Sequence, residues 1–313
     1  MPTNGVVEWV FPVLDSIFEQ GCCSSDFEVV ITDNGNNTEF KKKIKEYVQG
    51  HKNIRYYETE ALPFINEIES YKKASGQLLK FVNHRTRLVK GALQRLIDFA
   101  KYNADKRPII YFSNGVLKKE NKAYLYETFD DFVRNLSYWS SWSTGMTIWK
   151  EDFEHLPEDV QSFNELFPHT NVLFAEQARE KYIIDNSIIF DEMPQGRKPK
   201  GTYDLYYAFG VEYPGIILDL LRSGSITTDT FKAVIDGNLE FIACLYFNYN
   251  IRKNYCSYDL SGYNDMTGVF YSKEKIRTKV FEHIINIIRY KLKRSIPIVP
   301  KKCALKDSIV NRK

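Results

Sequence analysis

Phe27 to Asn37, FEVVITDNGNN, constrains the fold more than any other stretch. Val29, Val30, Ile31 and Thr32 are four consecutive β-branched residues with Phe27 leading in. A run of that kind, without polar alternation, predicts a strand buried on both faces, as in parallel sheets. It stops abruptly at Asp33-Asn34-Gly35. In an open α/β sheet, ligands sit beyond the carboxyl ends of the strands. A carboxylate there can accept hydrogen bonds from a nucleobase or a ribose. Asp33 can equally just open an Asx turn. The strand pattern alone leaves both readings open.

The flanking chain repeats the theme. Val6–Gln20 places Val6, Val10, Leu14, Ile17 and Phe18 at helical spacing, with Pro12 expected near the first turn or at a kink. Helices are predicted over Thr38–Gly50, Asn66–Ser75 and Lys90–Tyr102, and strands over Asn53–Glu58, Gln77–Val82 and Pro108–Phe112. Strands separated by single helices imply βαβ crossovers and a mostly parallel sheet. From about Tyr126 the chain turns aromatic and irregular, with a short strand expected at Met146–Trp149. A linker at 196–202 precedes two apolar helices, Tyr203–Arg222 and Thr228–Asn248, and a basic amphipathic one, Ile276–Arg294. The organisation expected is an α/β unit over 1–195, a helical region over 203–294 and a basic tail over 295–313.

Charge is unevenly spread. The net charge is only +3, yet residues from Lys273 onward hold 13 Lys and Arg against 3 Asp and Glu. The remainder is therefore acidic, and the overall balance argues against a nucleic-acid partner. The five cysteines are odd in number and form no C-x-x-C pair, which suits free thiols in a reducing compartment. No signal peptide opens the sequence and no run of 18 uncharged apolar residues occurs, so a soluble or peripheral protein is expected.

Four pieces in order carry a resemblance. They are Pro2-Thr3-Asn4; Leu14-Asp15-Ser16-Ile17-Phe18-Glu19-Gln20; Val30-Ile31-Thr32-Asp33-Asn34-Gly35; and Ala74-Ser75-Gly76 with Gly91-Ala92-Leu93 beyond the next strand. Together they resemble the family-2 glycosyltransferases of the GT-A fold, especially bacterial capsular and O-antigen sugar transferases. The likeness covers residues 1–115 well and 140–190 loosely. It implies an α/β, Rossmann-like GT-A sheet flanked by helices, and transfer of a sugar from a nucleotide-diphosphate sugar to a saccharide acceptor. By that resemblance Thr3, Asn4, Gly5, Asp33 and Asn34 belong to the nucleoside pocket. Glu8 is a further candidate, with a solvated helix residue as its plainer reading. Inversion at the anomeric carbon, a lipid-linked saccharide acceptor, and a cytoplasmic protein peripheral to the inner face of the membrane also follow from the family alone.

Two departures stand out. The family's first strand, usually central, should precede Pro2 and is absent; the expectation is a start upstream of Met1, because a missing central strand exposes backbone groups and apolar edges. The family's metal-binding D-x-D should follow Lys80-Phe81-Val82, where Asn83-His84-Arg85 stands, with Arg87 beyond. Asn83 and His84 are weak candidates for Mn²⁺ or Mg²⁺, since hard cations prefer oxygen ligands and a cationic Arg sits beside them. The expectation is that Arg85 supplies the positive charge itself, through bidentate pairing with phosphate, and that the reaction needs no metal. The alternatives are a dead site in a saccharide-binding or partner subunit, and ordinary solvated charges at Arg85 and Arg87.

The catalytic base is expected at Glu165 or His169, with Glu151 and Asp152 as a third possibility; a lone His is more often structural. Gly145 would let backbone approach a sugar closely, and Trp139 and Trp142 would stack on one or fill the core. In the last helix, Ile276, Val280, Ile284, Ile287, Ile288 and Leu292 form one apolar side flanked by cations. Such a helix suits an anionic membrane surface or packs on the domain.

Overall fold

The computed structural model describes residues 1–193 and 201–295. The linker expected at 196–202 lies mostly, and the tail beyond 295 wholly, outside the described residues. The chain runs β1 (Pro2–Thr3), α1 (Val7–Phe18), β2 (Val29–Asp33), α2 (Thr38–Gln49), β3 (Ile54–Glu58) and α3 (Asn66–Lys73). It continues with β4 (Leu78–Lys80), β5 (Thr86–Leu88), α4 (Ala92–Asn103), β6 (Ile109–Phe112), β7 (Ala123–Tyr126) and α5 (Phe129–Leu136). Then come β8 (Thr147–Trp149), α6 (Lys150–Glu154), α7 (Pro168–Leu173), β9 (Tyr182–Asp185) and β10 (Phe190–Glu192). The C-terminal part holds α8 (Leu205–Tyr207), a π-helical turn over Ala208–Glu212 leading into α9 (Tyr213–Arg222), α10 (Thr228–Tyr246), α11 (Tyr263–Met266) and α12 (Lys273–Ser295).

Local chemistry explains several element boundaries. All five residues of β2 are buried, as their β-branched run predicts. Asn37 caps α2 by accepting from the Phe40 N–H, and Gly50 ends it. Gly91 enters α4 at φ 82°, a conformation that favours glycine. Pro12 lies inside α1 and not in its first turn, so that helix runs without one backbone hydrogen bond.

The sheet is mixed, which corrects the expectation of mostly parallel pairing. β1–β2, β2–β3 and β6–β9 are parallel, whereas β4–β8, β5–β10 and β7–β9 are antiparallel. The antiparallel partners are strands of three or four residues, and antiparallel pairing needs no crossover helix to announce it.

β2 and β4 belong to separate hydrogen-bonded sheets, β1-β2-β3 and β4-β8. Pro2 and Thr3, expected to follow the first strand, are themselves paired with Thr32 and Asp33. Below them the Met1 α-amino group donates to the Val30 carbonyl at 2.7 Å. Burial lowers that amine's pKa to about 5. A cavity of about 460 Å³ opens at this point, lined by Met1, Val29, Tyr71, Leu79 and Leu96 among others.

Two hydrophobic clusters hold the fold. One joins α1, β2, α2 and α4 through Val10, Leu14, Ile31, Phe40, Ile44 and Leu93. The other joins Tyr111, Phe132, Ile148 and Ile184 to Tyr213, Ile217, Val234 and Ile276. The C-terminal helices thus share a core with the second half of the sheet. Among the described residues no helix is long and apolar enough to cross a membrane.

Candidate functional site

Three turns meet at the carboxyl ends of β1, β2 and β3. Asp33 closes β2 with only 1% of its surface exposed. Its Oδ1 accepts from the Gly35 N–H at 2.8 Å, so the Asx turn exists. Its Oδ2 accepts from the Tyr56 hydroxyl at 2.9 Å. Burial raises its pKa, and the two donors pull the other way. Asn34 donates its backbone N–H to Thr3 at 3.1 Å and its side-chain amide to the Ala61 carbonyl at 2.9 Å. A Cβ at Gly35 would collide with the Asn4 carbonyl, so the Asn4 and Gly35 turns interlock only with glycine there. Gly5, at φ 76°, donates its N–H to the Thr3 hydroxyl at 3.1 Å. Asn4 and Glu8 are exposed on the rim of this cluster.

The loop after β4 reaches the same place. The His84 Nδ1 lies 2.8 Å from the Thr3 hydroxyl. Burial, then Arg85, lowers the His84 pKa to about 3, so its ring is neutral. Trp9, on α1, packs its ring 5.3 Å from the imidazole and 5.5 Å from the Arg85 guanidinium. The Asn83 Oδ1 accepts from the Arg85 N–H at 3.0 Å and from its Nε at 3.4 Å. Burial lowers the Arg85 pKa, opposed by Tyr258, Glu192 and Tyr203; a guanidinium stays charged regardless. Arg87, by contrast, is exposed on β5.

The residues around Asn83 and His84 do not suit a divalent cation. The Asn83 oxygen already accepts twice from Arg85, the His84 Nδ1 is engaged by Thr3, and the nearest charge is positive. Among the described residues no group of three His, Cys, Asp or Glu is arranged to hold a metal ion.

The base candidates separate. Glu165 is exposed and lines a groove of about 730 Å³ with Thr59, Ala61, Leu62, Glu69 and Phe163. That groove adjoins the Asp33 turn, because Ala61 receives the Asn34 amide and the Thr59 N–H donates to the Asp33 carbonyl at 2.8 Å. His169 is in the core, 4% exposed, with Nε2 2.8 Å from the Ser141 carbonyl. Its Nδ1 lies 3.7 Å from the buried Glu67 carboxyl. Burial lowers the His169 pKa to about 4 and raises that of Glu67 to about 8. Both are then neutral near pH 7, with Nε2–H donating to Ser141. Glu151 pairs with Arg107 and Asp152 with Arg179, away from the groove.

The sugar-contact candidates are packed. A Cβ at Gly145 would enter the Tyr111 ring, so this glycine serves a close approach to a buried tyrosine. The Tyr111 hydroxyl donates to the Trp139 and Trp142 carbonyls, both at 2.6 Å, and both indoles pack against the larger core.

Several neighbours carried no sequence signal. Tyr56, Trp9, Tyr203 and Tyr258 surround the two charged groups, and the last two reach Arg85 from the C-terminal region. Their rings are 4.9 Å apart. Tyr56 reaches Asp33 because β3 lies beside β2, with Tyr56 opposite Ile31.

No protein-family model matches the chain, and no curated protein matches it in sequence. Solved structures do match. S. aureus TarS 1–349 in complex with UDP-GlcNAc superposes with a TM-score of 0.52 at 15% identity, covering 79% of this chain and 71% of that one. The same TarS fragment in a second structure gives 0.50 at 16% identity, over 81% and 72%. A longer TarS gives 0.51 at 14% identity, over 79% of this chain and 43% of that one. At these identities the likeness is one of fold, and the chain has the α/β GT-A fold with helices appended at its C-terminal end.

Proposed function

We propose that the protein transfers a sugar from a nucleotide-diphosphate sugar to a saccharide acceptor, in capsular or other cell-surface polysaccharide assembly. One observation carries the reading: the half-buried Arg85 guanidinium, held by the Asn83 Oδ1, sits on the same loop as His84, whose ring bonds the Thr3 hydroxyl beside the turn that holds Asp33. Asp33, Asn34, Thr3, Asn4 and Gly5 hold the nucleoside, and Asn83, His84 and Arg85 face the diphosphate. The UDP-GlcNAc complex of TarS, which shares the fold, supports a nucleotide-sugar donor.

In this reading the acceptor oxygen bonds to the anomeric carbon while the bond from that carbon to the diphosphate breaks. The acceptor proton passes to Glu165, and the electron pair leaves on the diphosphate. Arg85 neutralises the developing charge from a partly desolvated position, where the interaction is stronger than in water. Attack from the face opposite the leaving group inverts the anomeric centre. No metal is needed because a guanidinium replaces it. The acceptor is a lipid-linked saccharide presented at the inner face of the cell membrane.

A non-catalytic GT-A-like saccharide-binding protein or partner subunit is the second reading. It is favoured by Tyr203 and Tyr258, which pack on each other and lie close enough to act electrostatically on the partly buried Arg85.

Thermal unfolding with UDP-, GDP-, CMP- and dTDP-sugars, each with Mn²⁺ and with EDTA, tests both. A donor at a hundred times its Kd adds about 2.7 kcal/mol to stability. The first reading requires a shift with one nucleotide that survives EDTA, and product formation with it. Strict dependence on Mn²⁺ would remove the metal-free mechanism. A shift without turnover of any acceptor would select the second reading.

A further inference from the structure

The last described helix has two apolar faces, and only one is used inside the molecule. Ile276 and Val280 are buried and Ile284 is partly buried against the larger core, beside α10. Lys279 follows the same side, 3.6 Å from Glu240 on α10, and His283 packs its ring 5.1 Å from Phe247. Of the apolar side expected from the sequence, Ile276, Val280 and Ile284 are therefore used in packing, whereas Ile288 is exposed. A second stripe points outward. Phe281 is 63% exposed and Ile288 is 51% exposed. Ile285 stands between them and is partly exposed. Positions 281, 285 and 288 are spaced i, i+4 and i+7, which puts them on one helical face.

We infer that the Phe281–Ile285–Ile288 face of α12 docks the protein on an anionic lipid surface. Exposed Lys273, Lys275, Arg277 and Arg289 lie on the same helix as this stripe. The acids of the described turns are Glu274, whose pKa is held down by its own backbone N–H, Ser272 and then Arg277, and Glu282, which Lys279 engages at 3.0 Å. An apolar stripe with cationic flanks matches the boundary between acyl chains and acidic headgroups. A second copy of the chain fits less well, because a symmetric contact would set Lys273, Lys275, Arg277 and Arg289 beside the same four cations of the other copy. Nucleic acid would meet the cations but leave Phe281 and Ile288 in water.

This inference deepens the proposed function by naming the face that meets the membrane, and vesicle binding is read separately from donor binding. The full chain is sedimented with vesicles of neutral phosphatidylcholine and with vesicles containing about one third phosphatidylglycerol. The expected result is binding to the anionic vesicles only, lost at high salt because the cationic attraction is screened. Phe281→Ser together with Ile288→Ser should weaken it at least about tenfold, since two large apolar side chains no longer insert. Both positions are exposed, so the unfolding temperature should stay unchanged. Equal binding to neutral and anionic vesicles, or equal binding by the double variant, overturns the inference. So does a dimer in sedimentation velocity that the double variant abolishes while vesicles capture nothing, because the stripe then serves a second copy.

Discussion

The Thr3 hydroxyl is shared between the Gly5 N–H, at 3.1 Å, and the His84 ring, at 2.8 Å. One small side chain therefore couples the turn after β1 to the loop that carries Arg85. Thr3→Val keeps the shape but removes both bonds and leaves the His84 nitrogen without that partner. The expected cost is about 1–3 kcal/mol in stability, with a reduced thermal shift from the donor. Thr3→Ser should restore both. An intact donor response in Thr3→Val would show that the two loops act independently.

Arg85 should not tolerate lysine. Lysine preserves the charge but not the planar fork, and it would lose the Asn83 contact made by Nε. Arg85→Lys should weaken donor binding about tenfold, and Arg85→Gln by about a hundredfold, the range of charge-assisted hydrogen bonds. Donor titration in EDTA reads this directly. Equal affinities for wild type and Arg85→Gln would reassign Arg85 to packing against Trp9.

Glu165 and His169 should respond in opposite ways. Glu165 is exposed on the groove, so Glu165→Gln should leave the unfolding temperature unchanged and the donor shift intact while turnover falls by about 10²- to 10⁴-fold. His169→Ala removes a buried ring and strips the Ser141 carbonyl of its donor, so stability should fall by about 2–4 kcal/mol. Unchanged turnover in Glu165→Gln would exclude it as the base.

Most of the fold around β2 was legible because it rests on local signals. The β-branched run of β2 and the glycine that closes Thr38–Gly50 each act within a few residues. The Asx turn at Asp33 was weighed against ligand binding, and it is present. What was not legible depends on contacts far apart in the chain. Nothing near Phe190 announces that it pairs with Leu88, and β5, β7 and β10 are too short to show a period. Tyr203 and Tyr258 meet Arg85 only because the C-terminal helices fold back onto the sheet. Gly145 read as a surface approach because a glycine signals close packing without saying against what; the partner is Tyr111, buried 34 positions earlier.

Acid should destabilise the protein through its buried neutral histidines. In the unfolded chain each His titrates near 6.5, whereas burial lowers His169 to about 4 and His84 to about 3. The stabilising contribution is fully present above pH 6.5 and is lost as pH falls below it, because the unfolded state takes up more protons. One such group accounts for about 2 kcal/mol between pH 6.5 and 5. Glu67, raised to about 8, runs the opposite way between about 4.5 and 8, and the Met1 amine runs with the histidines between about 5 and 8. The decisive measurement is therefore the stability difference between wild type and His169→Gln across pH. It should shrink below pH 6.5; a difference constant with pH would mean that His169 titrates alike in the folded and unfolded states.

The gap between β2 and β4 should accept a strand. Its lining is largely apolar, its volume is about 460 Å³, and the Met1 nitrogen at its edge already donates to Val30 in strand register. An ammonium buried there is held to a pKa of about 5, so the group is carried neutral at a cost that an amide would not have. Joining five β-branched residues ahead of Met1 converts the amine to an amide and offers side chains to Val29, Leu79 and Leu96. Hydrogen bonds to the facing edges of β2 and β4 then become available, as does burial worth about 25 cal/mol per Å² of apolar surface. The extended protein should unfold at a higher temperature, and the cavity residues should gain protection from hydrogen exchange. A Gly-Ser extension of the same length controls for the loss of the terminal charge. It should recover only the small part due to the amide, since it brings no apolar surface. Equal effects from both extensions would mean that the charge alone matters and that the gap stays open.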